Sequence, residues 1–549
     1  MFSETYTANL RGSLTAFALA AGIILFLTAV FAWRLSRSRR GLPRSSVYAL
    51  ALLVISSLGL TYWWLFFNTY YRLRANGQEI VLQLEMPSRE VRIPRASVAG
   101  FAVEPAPRNT ARMVIQTTDG KSYYSPAGPR STRLNVIAQM EDVMTPDMSQ
   151  IAERYVRLAL QTGQHDADFV DAYYGPDALK PAEGAKVPLN ALLATAATLQ
   201  AEAAGFPLAP DADELTRLRK EYLTQQLLAV HTRLRMLTGE RFPFDEESRL
   251  LYDAVAPSNT EASFAGTLAE LETLLPGTGP LIDRYDAFRS RFVIPRDRLD
   301  RVFTLAINEC RARTAAEMTL PEGESFTVEY VTGKTWSAYN WYKGGYRSLI
   351  QVNTDLPITI DRAVDLACHE GYPGHHVYNA LLEKNLVRDR RWMEFSVYPL
   401  FSPQSLIAEG TANFGIAVAF PGHTRVAYEK AALFPAAGLD ASEAGQYYAV
   451  QERIERLSYA GNEAARRYLN GEISREEAAA WLQRYAMMPR ERAEQRTRFF
   501  DQYRSYVINY NLGKDLVKAW VEQQGNTPAD RWSAFERLLS SPRLPSSLR

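Results

Sequence analysis

The stretch His369-Glu370-Gly371-Tyr372-Pro373-Gly374-His375-His376 holds three of the six histidines in the chain. Imidazole nitrogens suit zinc, and a carboxylate next to a bound metal can take a proton from water. In an unbroken helix, ligands four residues apart share a face. Here the second and third histidines lie six and seven positions beyond the first. At 1.5 Å per residue those offsets are about 9 and 10.5 Å along the axis, too far for zinc–nitrogen bonds of roughly 2.0–2.1 Å. Pro373 offers no N–H to the carbonyl of His369, and its ring crowds that carbonyl, so the helix is expected to kink or bulge there. Gly374 tolerates the backbone that such a bulge needs. Pro373-Gly374 then reads as a two-residue insertion in a His-x-x-x-His turn. His369 and His375 become the ligand pair and Glu370 the base, with His376 either the true ligand in place of His375 or a group behind it. The competing reading is a loop with solvated histidines.

The pattern departs by that insertion from the His-Glu-x-x-His helix of metallopeptidases. Gluzincin-type sites take a third protein ligand from a glutamate on a later helix. Glu409, in Leu406-Ile407-Ala408-Glu409-Gly410-Thr411-Ala412-Asn413-Phe414, lies 33 residues after His376. Its neighbours are apolar or small, which draws the carboxylate inside. A buried carboxylate is costly unless it is paired or holds a metal.

His369–His376 followed by Glu409-Gly410 resembles the bacterial DUF885 family, helical proteins similar to gluzincin-type zinc metallopeptidases. Arg154-Tyr155-Val156-Arg157-Leu158-Ala159-Leu160 and Val170-Asp171-Ala172-Tyr173-Tyr174-Gly175-Pro176 resemble the start of that family's domain, and Tyr510-Asn511-Leu512-Gly513 its Tyr-x-x-Gly near the end. The resemblance covers roughly residues 148–549. It implies a zincin-like, mainly α domain with a metal-dependent peptidase-like fold and one zinc ion, but no known substrate; the expected chemistry is metal-assisted hydrolysis, with a peptide as the expected substrate. Glu370 would move the proton, and a further donor would meet the developing oxyanion. Tyr510, from its position before Gly513, is the candidate donor, with Tyr506 as the alternative. Two other functions fit the same residues: a non-catalytic, metal-stabilised scaffold, or hydrolysis of a non-peptide amide or ester.

The surrounding sequence reads as helical. Leu223, Leu227, Val230, Leu234 and Leu237 recur at helical spacing and stop at Gly239. Ile151, Tyr155 and Leu158 mark another stripe, and Ser474 with Glu477 a capping box. Before the histidine cluster, Phe326 to Thr332 and Tyr346 to Val352 read as two strands with Gly344-Gly345 as the turn between them. A strand beside the site offers an extended peptide an edge to pair with. His165, His231 and His423 lack ligand spacing to the cluster. Cys310 and Cys368 are too few for a disulfide framework and read as buried helix residues.

Ahead of residue 68 the composition changes. Leu14 to Trp33 and Val47 to Phe67 are apolar runs without a charge, each long enough to span a bilayer. The loop between them carries Arg34, Arg37, Arg39, Arg40 and Arg44, which the positive-inside rule assigns to the cytoplasm. The rest is then expected on the periplasmic or extracytoplasmic face of the bacterial inner membrane, with Trp63, Trp64, Tyr70 and Tyr71 at the outer interface. Ile80 to Leu84, Val91, Ile93, Met113 and Ile115 suggest short strands, Asp119-Gly120 a hairpin turn, and Leu134 to Met144 a helix. Together they resemble a PH-like domain, with a β-rich spacer that has no ligand of its own as the equal alternative. The expected layout is a transmembrane hairpin at 1–68, a small β-rich domain at 69–145 and the helical domain at 146–549. A formal net charge of +1 and the lack of a basic stripe argue against a nucleic-acid partner.

Overall fold

The two charge-free runs form the helices α1 (Thr7–Ser36) and α2 (Arg44–Phe66) in a computed structural model of the chain. It describes all residues except 1, 6, 38–42, 77–78, 108, 145–146, 183, 185 and 335. Arg39 and Arg40 of the basic loop, and the link at Thr145-Pro146, lie outside the described residues. Leu14–Arg34 and Ser45–Trp63 have mean hydropathies of 2.4 and 1.6, and none of either stretch is buried against protein. Both helices are therefore long and apolar enough to sit in a bilayer, where lipid would cover their side chains.

The chain divides into two compact units, Met1–Asp147 and Met148–Arg549. In the first, the hairpin leads at both ends into one sheet. Strand β1 (Phe2–Thr5) precedes α1 and pairs antiparallel with β2 (Tyr70–Ala75), which follows α2. That sheet continues through β3 (Glu79–Leu84) and β4 (Arg89–Pro94). A second sheet joins β5 (Val98–Ala106), β6 (Thr110–Thr117) and β7 (Ser122–Tyr124). Gly120, at φ +81°, makes the tight turn from β6 to β7, a backbone that glycine adopts freely. Alternating residues Ile80, Leu82 and Leu84 are buried with Met113, Ile115 and residues of the closing helix α3 (Arg130–Met144). Tyr70 is fully buried in this core. That corrects its expected place at a membrane interface: an irregularity between Tyr70 and Arg72 shifts the strand register and turns the ring to the side of Leu73 and Ala75.

The second unit is helical around one continuous apolar core. In the helix Glu214–Leu237, Leu223, Leu227, Val230 and Leu234 are fully buried. Asp213 caps its N-terminus by accepting from the Thr216 N–H at 2.6 Å. The Ser474/Glu477 capping box opens the helix Arg475–Tyr485. Strand β8 (Val170–Tyr173) pairs with β12 (Val397–Pro399). A three-stranded sheet holds β9 (Ser325–Val331), β10 (Ala338–Gly344) and β11 (Arg347–Asn353) in the order β10-β11-β9.

This sheet differs from the sequence expectation. Gly344-Gly345 does not join the two expected strands. It turns β10 into β11, while β11 and β9 run parallel. Strand β10, Ala-Tyr-Asn-Trp-Tyr-Lys-Gly, has aromatic residues but none of the β-branched ones that reveal β9 and β11, and its Asn, Lys and Gly dilute the signal. It is an edge strand, and its Asn340 side chain donates to the carbonyl of Glu370 at 2.7 Å.

Candidate metal centre

The helix Asp361–Leu366 enters the histidine motif and widens over Ala367–Gly371, where Tyr372 N–H bonds back five residues to Ala367 O at 3.1 Å. This is the π-type bulge that a missing proline N–H favours. The chain turns through Tyr372-Pro373, and a new helix begins at His375. A Cβ on Gly374 would overlap the carbonyl oxygens of Cys368 and His369, so only glycine fits the turn.

The turn brings His369 back against His375. Their Nε2 atoms stand 3.1 Å apart, and Glu409 Oε2 lies 3.3 Å from the first and 3.9 Å from the second. Among the described residues this is the one cluster of histidine, cysteine and carboxylate donors close enough to share an ion. His376 is elsewhere. Its ring is fully buried, with Nε2 donating to Glu324 Oε2 at 3.0 Å and Nδ1 facing Ser348 Oγ at 2.8 Å. Of the two alternatives left open by spacing, the geometry groups His375 with His369.

Each donor is held. Asn413 donates to the carbonyl of Tyr510 at 3.1 Å, which leaves its Oδ1 to accept from His369 Nδ1 at 3.1 Å. That bond puts the proton on Nδ1 and the lone pair on Nε2. Glu409 comes from the helix Pro403–Ala419, and Tyr506 donates to its Oε1 at 2.8 Å. The approach depends on two glycines. Where this helix crosses Ile508–Gln524, a Cβ on Gly410 would lie 2.5 Å from Gly513 backbone, and one on Gly513 would lie 2.7 Å from Leu406 O.

Glu409 Oε2 is buried and makes no hydrogen bond of good geometry. Tetrahedral zinc with bonds of about 2.0–2.1 Å sets its donor atoms roughly 3.3 Å apart. The three separations bracket that value, and the orphaned oxygen faces both imidazoles, so the residues fit such an ion. Burial and the neighbouring His369 push the pKa of His375 down to about 4, which keeps it neutral near pH 7. Burial also lowers that of His369, but Glu409 and Glu370 outweigh it and the net shift is upward.

Glu370 is buried beside the cluster. Burial lifts its pKa to about 7, with Glu409 and Asp171 adding to the rise and His369 and Arg362 opposing it. Tyr506 is committed to Glu409. The Tyr510 ring packs edge-on to it at 5.8 Å, and its hydroxyl has no hydrogen-bond partner among the described residues. Tyr510 feels the charges of both Glu409 and Glu370, although burial is the main reason its pKa is raised.

Sequence reasoning missed two groups here. Asp171 accepts from the Tyr339 hydroxyl, and burial raises its pKa to about 6 with Glu409 contributing. It stands inside the quoted Val170–Pro176 segment, but nothing local marks it as part of the site. Glu324, beneath His376, also receives Tyr372 OH at 2.5 Å and Arg311 Nη2 at 2.6 Å. His165, His231 and His423 lie outside the cluster. Cys310 and Cys368 are buried with their sulfurs 2.9 Å apart.

No family model matches the chain, and no curated protein matches it. Among solved structures, a candidate lipoprotein from Colwellia psychrerythraea aligns at TM-score 0.38 and 15% identity, over 63% of this chain and 66% of that one. A candidate lipoprotein of unknown function from Shewanella oneidensis aligns at TM-score 0.35 and 13% identity, over 64% and 72%. The chain thus spans just under two thirds of the Colwellia protein.

Proposed function

We propose that this chain is a membrane-anchored, zinc-dependent peptidase of the kind its DUF885-like motifs imply. The observation that carries the reading is the orphaned Glu409 Oε2, 3.3 and 3.9 Å from the Nε2 atoms of His369 and His375, with Glu370 next to His369 in the chain. His369, His375 and Glu409 would hold one zinc ion, which supplies Lewis-acid activation of water and of the scissile carbonyl.

The remaining work falls to the protein. Glu370, with a pKa near 7, accepts a proton from the attacking water and returns it to the leaving amine. Asn340 fixes the backbone beside it. The free hydroxyl of Tyr510 donates to the oxyanion that develops on the substrate carbonyl. The unpaired edge of β10 gives an extended peptide a partner for main-chain hydrogen bonds, which favours a peptide over other amides and esters. A scaffold would need neither a base at Glu370 nor a free donor at Tyr510. With Arg34 and Arg37 at the loop end of the hairpin, the positive-inside rule puts the catalytic unit outside the cytoplasm.

Purified full-length protein should bind one equivalent of zinc and cleave members of a mixed peptide library. Glu370→Gln should lower turnover at least 10³-fold with zinc content unchanged. Retained activity in that variant, or less than half an equivalent of zinc in the parent, would sink the assignment.

A further inference from the structure

The helix Arg490–Tyr503 carries two half-buried arginines, of which Arg496 feels the charge of Glu409 from a distance. Arg492 and Arg496, one helical turn apart, share a face, and like charges at that spacing repel. Neither forms an ion pair among the described residues, and Arg496 Nε is buried without a hydrogen-bond partner. Elsewhere in this unit inward arginines are matched: Arg219 with Glu394, Arg425 with Asp365 and Glu429, Arg466 with Glu463 and Asp245. A cation half withdrawn from water without an ion-pair partner is costly. Burial and the nearby cations Arg362, Arg289 and Arg496 push the pKa of Arg492 down to about 10.

Their position gives the cost a use. Arg496 lies 5.6 Å from the Tyr510 ring and within range of the charge of Glu409. Arg492 and Arg362 line one small cleft of about 40 Å³ with Trp336, Ser337 and Asn353. Trp336 and Ser337 lead directly into β10, so the pocket opens at the start of the edge strand. A chain paired along β10 would end among these guanidinium groups.

We propose that Arg492 and Arg496, flanked by Arg362, bind a carboxylate of the substrate beside the metal centre. The placement at one end of β10 favours the C-terminal carboxylate of a peptide over an acidic side chain. This inference rests on the peptidase reading for the substrate being a peptide. Guanidinium forks match carboxylates in two-point hydrogen bonds, whereas lysine would offer only a point charge. An enzyme built this way trims residues from C-termini.

Binding separates this proposal from the catalytic one. Full-length Glu370→Gln protein, zinc-loaded in detergent, is incubated with a mixed pentapeptide library bearing free C-termini and with the same library amidated. The free-acid library should be retained at least tenfold more tightly. Arg492→Ala and Arg496→Ala should each remove most of that difference without weakening the amidated library, an outcome that general misfolding would not give. Arg492→Lys should restore part of it. If discrimination follows internal Asp and Glu instead, and still depends on the two arginines, the carboxylate site stands with a side-chain source. Equal retention of both libraries, or retention of neither, would overturn it. Arginine-dependent binding in a protein whose parent shows no hydrolysis would keep the carboxylate site and discard the peptidase.

Discussion

His375 and His376 are neighbours in sequence and opposites in environment. His375 faces an open corner, where two imidazole nitrogens converge on a carboxylate oxygen that has no hydrogen-bond partner. His376 faces a closed corner, where Glu324 receives His376, Tyr372 and Arg311, and Ser348 meets the other ring nitrogen. Buried polar groups in folded proteins are nearly always satisfied. The closed corner therefore reads as structural, while the other gathers the three donors of the proposed metal site. The closed corner also has a task, because it clamps the first turn of the helix that presents His375.

The sharpest way to break this contrast is to remove each histidine in turn. His375→Ala should abolish stoichiometric zinc binding, measured by metal analysis after dialysis, and leave the fold intact. His376→Ala should do the reverse. It should retain zinc but lose about 3 kcal/mol of stability in denaturant unfolding, because one partner of a buried charged cluster is gone. If both variants lost zinc equally, the two corners would not be distinct. A smaller effect is expected one layer out. Asn413→Ala frees the His369 ring from its fixed tautomer and should weaken zinc roughly 10–100-fold in competition with a chelator. Unchanged affinity would mean that Asn413 does not orient the ligand.

The contrast also marks where sequence is informative. The helices, their caps and the apolar runs follow from local periodicity, and His369, Glu370 and Glu409 stand out by residue type. Which histidine turns toward Glu409 is not legible, because a widened turn and a chain reversal separate His375 from His369. A one-residue difference after such a break swings a side chain by about 100° around the new helix axis. Glu324 and Asp171 reach their places across 52 and 238 residues, from His376 and Glu409 respectively. Glu324 leads into β9 with no motif of its own. Arg492 and Arg496 look in sequence like any solvated charges. Only the helix packing shows that neither forms an ion pair among the described residues. Gly410 and Gly513 sit in motifs that sequence reading quotes, but their reason is a helix crossing that no local pattern reports.

The mildest predictions concern the closed corner and its acid dependence. Burial alone would raise the pKa of Glu324, but hydrogen bonds from His376, Tyr372 and Arg311 outweigh it and hold it below its ordinary 4.5. A carboxyl group with a depressed folded pKa adds stability that is present above 4.5 and lost as pH falls through the folded value. Metal-free protein should therefore lose stability on acidification below about pH 4.5, and Glu324→Gln should flatten that part of the profile. Ser348→Ala should cost only about 1 kcal/mol, the net worth of one hydrogen bond, and leave the acid dependence as it was. An acid profile identical in parent and Glu324→Gln would show that the carboxylate is not held as an anion by its three donors. The closed corner would then lose its claim to be the rigid wall against which the proposed metal ligands are set.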